Sequence, residues 1–136
     1  MIYLLDVNAL LALAVQEHEF HIRAAKWVAR MARRQQASLA TCAITELGFL
    51  RVLTQVSSYG FAIPQGSALL AALKSANGLH FTFLSDSHGI AALPQWVKWP
   101  KQITDGHLAE LARAHGARLA TLDEHIPDAL LIPGKN

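Results

Sequence analysis

The most constraining feature of this sequence is its beginning, where a short apolar run ends in one acid and a second apolar segment follows at once. Ile2 to Leu5 has the length and composition of a short buried strand, and Asp6 comes directly after it. Asp and Glu are almost never fully buried without a partner, so an acid in this position is expected to have a specific partner or a functional role. Later residues that can meet Asp6 are therefore the first candidates for a functional site.

Strand-like and helix-like segments alternate along the rest of the chain. Apolar residues at helical spacing predict helices, short apolar or alternating runs predict strands, and Gly and Pro mark most of the breaks. The alternation predicts an α/β fold with a mostly parallel sheet, and the absence of a visible boundary predicts a single domain over residues 1–136. The predicted strands are 2–5, 38–41, 80–84, 118–122 and 129–132; the predicted helices are 8–15, 20–35, 44–56, 65–75 and 104–115, with a long loop over 85–102.

The same spacing predicts which faces of the helices are buried. The predicted apolar face of the second helix consists of Ile22, Ala25, Trp27, Val28 and Met31. That of the third consists of Leu47, Leu50, Val52, Leu53 and Val56, and that of the last helix of Leu108, Leu111 and Ala112.

Composition excludes several classes of protein. A hydrophobic fraction of 52% with 16% charged residues is not that of a disordered chain, and a net charge of +2 permits a polyanionic partner without indicating one. The single cysteine, Cys42, excludes an intramolecular disulfide and a cysteine-based zinc site. With no apolar run near the ~18 residues of a membrane span and no secretory signal, we expect a cytoplasmic protein with no membrane association.

Four of the ten acidic residues occupy positions that can meet. Asp6 and Asp123 each follow a predicted strand, and the carboxyl ends of parallel strands share one edge of a sheet, where ligands bind. Asp105 and Glu46 lie in the first turns of predicted helices that can reach the same edge. Taken singly, each acid is adequately explained as a helix cap or as a response to the helix dipole. The combination is what indicates a site.

Four converging carboxylates would repel one another and raise some of their pKa values. A divalent cation removes that conflict, and oxygen ligands suit Mg²⁺ or Mn²⁺ better than zinc. Such ions typically serve phosphate substrates, where they activate water and neutralise charge on a phosphodiester.

Four segments of the chain carry a family resemblance. They are Leu5-Asp6-Val7-Asn8-Ala9-Leu10, Thr45-Glu46-Leu47-Gly48-Phe49-Leu50-Arg51, Thr104-Asp105-Gly106-His107-Leu108-Ala109 and Leu119-Ala120-Thr121-Leu122-Asp123. In this order and at this spacing, over essentially the whole chain, the sequence resembles PIN-domain ribonucleases, and most closely the toxins of VapBC-type toxin–antitoxin pairs.

The resemblance implies a three-layer α/β/α sandwich and an endoribonuclease that hydrolyses RNA with Mg²⁺ or Mn²⁺. It assigns metal binding and catalysis to Asp6, Glu46, Asp105 and Asp123, with Asn8 and Thr121 as supporting residues that can orient the carboxylates. It further implies a homodimer and a small antitoxin that covers the site. Arg51 is a candidate contact to RNA or to the antitoxin.

Other functions are open at this stage. A phosphorelay receiver is also a small α/β domain, but it needs an acidic pair after its first strand, and Asp6 has no adjacent acid. A dehalogenase-type phosphatase needs a second Asp where Asn8 stands. A subunit that binds RNA or protein without catalysis, its acids holding a structural ion, is the third alternative.

The histidines supply no metal motif of their own. His18-Glu19-Phe20-His21 is one residue short of the H-E-x-x-H pattern of metalloproteases, so the zinc geometry fails. His107 and His125 each lie two residues after a candidate acid, and surface positions are expected for both.

Overall fold

The strand that opens the chain is the central member of a parallel five-stranded sheet. The computed structural model describes residues 1–34 and 37–134. The strands within these residues are β1 (Ile2–Leu5), β2 (Ser38–Cys42), β3 (Phe81–Leu84), β4 (Arg118–Thr121) and β5 (Leu130–Leu131). Their order is β3-β2-β1-β4-β5, and every neighbouring pair is parallel. The mostly parallel sheet predicted from the alternation of elements is confirmed.

The helices follow the predicted order, with ends that differ by a few residues. They are α1 (Val7–Ala14), α2 (His21–Ala32), α3 (Ala43–Gln55), α4 (Ile63–Lys74) and α5 (Ile103–Ala114). The predicted second helix extended to residue 35, which lies outside the described residues. The fourth begins two residues earlier than predicted, because Pro64 is well accommodated in a first helical turn. None of the described helices is both long and apolar enough to cross a bilayer.

Two apolar layers cover the two faces of the sheet. Successive side chains of a strand point to opposite faces. Leu5 accordingly packs into a cluster with α1, α2, α3 and α4, while Leu4 packs with α5. In β4, Ala120 packs into the same cluster as Leu5, and Leu119 packs into the same cluster as Leu4. This is the three-layer α/β/α arrangement that the family resemblance implies, and it is confirmed.

In α2 and in α3, one residue assigned to the buried face is in fact exposed to solvent. Ile22 is 68% exposed and Leu47 is 62% exposed, although both are assigned to apolar faces above. Each lies two residues before a buried apolar residue of its helix, Ala24 in α2 and Phe49 in α3. Two residues correspond to about 200° around a helix, which turns the side chain to solvent. The predicted buried residues of α5, in contrast, are all buried.

Candidate functional site

Asp6 joins the end of β1 to the start of α1 and is held on both carboxylate oxygens. The Ala9 backbone N–H donates to Oδ1 at 2.8 Å, which caps the helix, and the Thr121 hydroxyl donates to Oδ2 at 2.5 Å. The side chain is 7% exposed. Burial raises the pKa of Asp6, the two hydrogen bonds oppose that rise, and the charge of Asp123 adds to it. Asp6 is thus both a helix cap and a poorly solvated, oriented carboxylate.

Thr121 connects the two strand-end acids. Its buried hydroxyl donates to Asp6 and accepts the Asp123 backbone N–H at 3.0 Å. Asp123 in turn accepts the backbone N–H of His125 on Oδ1 at 2.8 Å, which ties its carboxylate to the loop after β4. The neighbouring strands β1 and β4 therefore present their acids in a fixed relation to each other.

Asp105 approaches the same place from the opposite helical layer. It lies in the first turn of α5, and its pKa is raised to about 6 by partial burial and by the charges of Asp6 and Asp123. A raised pKa from like charges shows that these three groups interact electrostatically. They do so across one cavity of about 370 Å³, lined by Asp6, Val7, Asn8, Leu11, Val52, Thr104, Asp105, Leu108 and Asp123. Within the described part of the chain, no basic side chain lines this cavity.

Glu46, the fourth predicted acid, takes a different partner. It lies in the first turn of α3, and its Oε2 accepts the Thr41 hydroxyl at 2.6 Å and forms an ion pair with the Lys74 ammonium of α4. Glu46 does not line the cavity of the three aspartates. The structure therefore brings Asp6, Asp105 and Asp123 to one cavity and leaves Glu46 outside its lining, paired with a lysine.

Two glycines allow the site helices to approach closely. A Cβ on Gly48 would lie 2.6 Å from a methyl group of Val7, so a larger residue here would force the Val7 side chain or the packing of α3 on α1 to shift. A Cβ on Gly106 would lie 2.2 Å from Val97 of the preceding loop. Gly48 lies two residues after Glu46, and Gly106 directly follows Asp105. Glycine at these positions lets the Val7 and Val97 side chains pack directly against the helices that carry Glu46 and Asp105.

The remaining predicted residues lie at different distances from this cavity. Asn8 lines it, and its Oδ1 is 2.9 Å from His18 Nε2. Arg51 is exposed on α3 and is not part of the cavity lining. His125 is exposed as expected, and His107 is at the surface but partly buried. The His107 side chain is only 13% exposed, because its Nε2 pairs with Asp86 Oδ2 at 2.5 Å.

Sequence reasoning missed three residues that contact predicted site residues or His107: His18 at Asn8, Lys74 at Glu46 and Asp86 at His107. His18 appeared only in a failed metalloprotease pattern, and Asp86 lies in the loop that the sequence left without structure. Lys74 is 28 residues from Glu46 and follows no motif. Only the packing of α4 on α3 brings it within reach of Glu46.

The donor chemistry of the cavity fits a hard divalent cation. All its charged groups are carboxylates, and Mg²⁺ prefers such oxygen ligands. Burial, and after it the charges of Asp6 and Asp123, raise the pKa of Asp105, and a bound cation would favour the ionised carboxylate against both effects. Among the described residues, there is no group of three or more His, Cys, Asp or Glu side chains close enough together to hold a metal ion. The acids therefore share a cavity without forming a coordination shell.

Comparison with known proteins places this arrangement in a known group. The family model described as PIN domain matches residues 3–129. Ribonuclease VapC38 of Mycobacterium tuberculosis is 40% identical over 124 residues, which are 88% of this chain and 84% of the relative. Ribonuclease VapC29 of the same organism is 35% identical over 143 residues, covering 98% of each chain.

Solved structures share the fold at lower identity. VapBC2 from Rickettsia felis, bound to a DNA fragment from its promoter, superposes with a TM-score of 0.63 at 17% identity over 96% of both chains. Mycobacterium tuberculosis VapC20, a toxin that cleaves the sarcin–ricin loop, gives 0.59 at 12% identity over 91% of this chain and 92% of the other. At these identities the likeness concerns the fold.

Proposed function

Because this chain belongs to the PIN-domain family and groups within it with the VapC ribonucleases, we propose that it is a metal-dependent endoribonuclease, the toxin of a type II toxin–antitoxin pair. The observation that carries the proposal is the cavity on which Asp6, Asp105 and Asp123 converge without a basic partner. A bound Mg²⁺ or Mn²⁺ would neutralise charge on the scissile phosphodiester and favour ionisation of the attacking water.

The residues of the chain prepare the cavity for that chemistry. Asp6 is fixed by the Ala9 amide and the Thr121 hydroxyl, so its carboxylate needs little reorganisation on binding a cation. Apolar side chains of α1, α3 and α5 also line the cavity and make part of its wall nonpolar: Leu11, Val52 and Leu108. Glu46 is the proposed fourth ligand, and it joins the site by exchanging Lys74 for the ion.

We further propose the partners that family membership suggests. The substrate is RNA, a small antitoxin covers the cavity, and the toxin is a homodimer. Large apolar side chains remain exposed on neighbouring helices, Leu47 at 62% on α3 and Ile63 at 61% on α4, and they offer a surface for either protein partner. Arg51, exposed on α3, is a candidate contact to RNA or antitoxin.

The test is cleavage of a labelled RNA by the purified chain with Mg²⁺, with Mn²⁺ and with EDTA. Wild type is compared with Asp6→Asn and Asp105→Asn. Asp128→Asn is the matched control: Asp128 is exposed, lines no part of the cavity, and has a φ of 62° that Asn adopts readily.

We expect cation-dependent cleavage by wild type and Asp128→Asn alone. Cleavage that survives both site substitutions would overturn the assignment. RNA that is bound but stays intact under every condition would indicate the non-catalytic binding subunit instead.

A further inference from the structure

His18 holds a defined position beside the acidic cavity. Its backbone N–H donates to the Val15 carbonyl at 3.1 Å, and its carbonyl accepts the His21 N–H at 3.0 Å. Its ring accepts the Phe20 backbone N–H on Nδ1 at 3.0 Å. The segment that joins α1 to α2 thus fixes both the backbone and the ring of His18.

These contacts determine where the ring hydrogen lies. An Nδ1 that accepts a hydrogen bond carries no hydrogen, so the neutral imidazole has its hydrogen on Nε2. Nε2 is 2.9 Å from Asn8 Oδ1 and therefore donates to it. Burial lowers the pKa of His18, against the opposing effect of Glu19, which favours the neutral ring that this geometry needs.

The orientation of the Asn8 amide follows from this tautomer. With Oδ1 engaged by His18, the NH₂ group of the amide makes no hydrogen bond to the described residues, and Asn8 is an exposed residue in the lining of the acidic cavity. We propose that His18 is a positioning residue which fixes the Asn8 amide so that its NH₂ group donates to a phosphate oxygen of the RNA strand. The reversed amide would present an acceptor to phosphate and carboxylates alike. This role rests on the proposed ribonuclease function.

Two substitutions separate positioning from local folding. In His18→Gln the side-chain amide nitrogen lies near the place of Nε2 and can still donate to Asn8, but the acceptor for Phe20 is lost. In His18→Asn the side-chain oxygen lies near the place of Nδ1 and can still accept from Phe20, but the side chain is too short to reach Asn8. The two variants thus keep one contact each.

The proposal predicts opposite effects for the two variants: one keeps its melting temperature and loses activity, and the other loses melting temperature and keeps its activity. His18→Asn should melt near the wild-type temperature and lose roughly tenfold in kcat/KM, mostly through KM, the effect of one misplaced donor. His18→Gln should melt lower but keep kcat/KM within about threefold of wild type. Asn8→Ala should show the loss of His18→Asn, and the double variant Asn8→Ala/His18→Asn should lose no more than either alone.

The proposal is overturned if His18→Asn cleaves as well as wild type, or if its loss persists in full on the Asn8→Ala background. One measurement does not depend on catalysis: the nitrogen chemical shifts of His18 report its tautomer. We expect the Nε2–H form in wild type, and an Nδ1–H form would refute the proposal even if RNA were never cleaved. Absence of cleavage together with the Nε2–H form would instead place the failure in the proposed function.

Discussion

Two kinds of acid lie at the carboxyl edge of this sheet, and they differ in how their charge is balanced. Asp6, Asp105 and Asp123 face one cavity together, and the pKa of Asp105 is raised to about 6 by partial burial and by the other two. Glu46, on the adjoining helix, has a lysine and a hydroxyl on its Oε2. The Thr121 hydroxyl donates a hydrogen bond to Asp6, but within the described residues no basic side chain lines the cavity that the three aspartates share.

The difference shows which acids need an ion from outside. A carboxylate with its own ammonium is satisfied in the folded chain, whereas three carboxylates without one are destabilised by mutual repulsion. We therefore expect added Mg²⁺ to stabilise the fold through the aspartates first. Glu46 joins only when the ion competes successfully with Lys74.

The largest expected effect is the loss of the ion through the aspartates. Asp105→Asn should lower RNA cleavage at least a hundredfold and abolish the rise in melting temperature that Mg²⁺ gives wild type. Glu46→Gln should reduce that rise without abolishing it, because Glu46 stands outside the shared cavity. Thermal unfolding with and without Mg²⁺ is the measurement. Equal losses in the two variants would remove the distinction between the two kinds of acid.

Thr121→Val should have the next largest effect, because it removes the hydroxyl that joins two of the aspartates. The buried Asp6 carboxylate loses a donor and the Asp123 backbone N–H loses its acceptor, so the free energy of unfolding should fall by about 1–3 kcal/mol. Cleavage should fall with it. Thr121→Ser keeps the hydroxyl and is the matched control in chemical denaturation. A Val variant as stable as the Ser variant would contradict the bridging role.

The fold was largely predictable from the sequence, because its strands carry local patterns. Asp6 and Asp123 end apolar runs, and the rule that parallel strands share one carboxyl edge brings them together. Asp105 required the family resemblance in addition to its place at a helix start. The ion pair of Glu46 was not predictable, since Lys74 is distant in sequence and only the packing of α4 on α3 brings it close. His18 had no pattern that points to Asn8.

A third prediction uses pH to measure the repulsion among the aspartates. The pKa of Asp105 is about 6 in the folded chain against an ordinary 3.8, so between these values the folded state holds more protons than the unfolded state. The free energy of unfolding therefore falls as pH rises from about 4 to 6 and levels off above. Without divalent cations, Asp105→Asn should exceed wild type in stability by about 1 kcal/mol at pH 7, solvent screening included.

That excess should shrink as the pH falls below 6 and vanish only below about pH 3, where the wild-type carboxyl is protonated in both the folded and the unfolded state. Urea denaturation of the two proteins at several pH values measures it. A difference between wild type and variant that stays constant from pH 4 to 7 would show that repulsion is not its source. Saturating Mg²⁺ should reverse the order of stability at pH 7, because only wild type retains the full set of acids.

The smallest expected effect tests the lysine that balances Glu46. Lys74→Met keeps the length of the side chain beside Phe83 but removes the ammonium, whose pair with Glu46 is partly exposed and so contributes about 0.5 kcal/mol. Glu46 then lacks its internal cation, and the affinity for Mg²⁺ should rise about two- to fivefold. Lys101 is an exposed lysine two residues before the start of α5, and Lys101→Met is the control for the loss of one positive charge. Titration calorimetry measures the affinity. If Lys74→Met binds Mg²⁺ no better than Lys101→Met, the lysine does not compete with the ion, and Glu46 is a structural acid that stays outside the metal site.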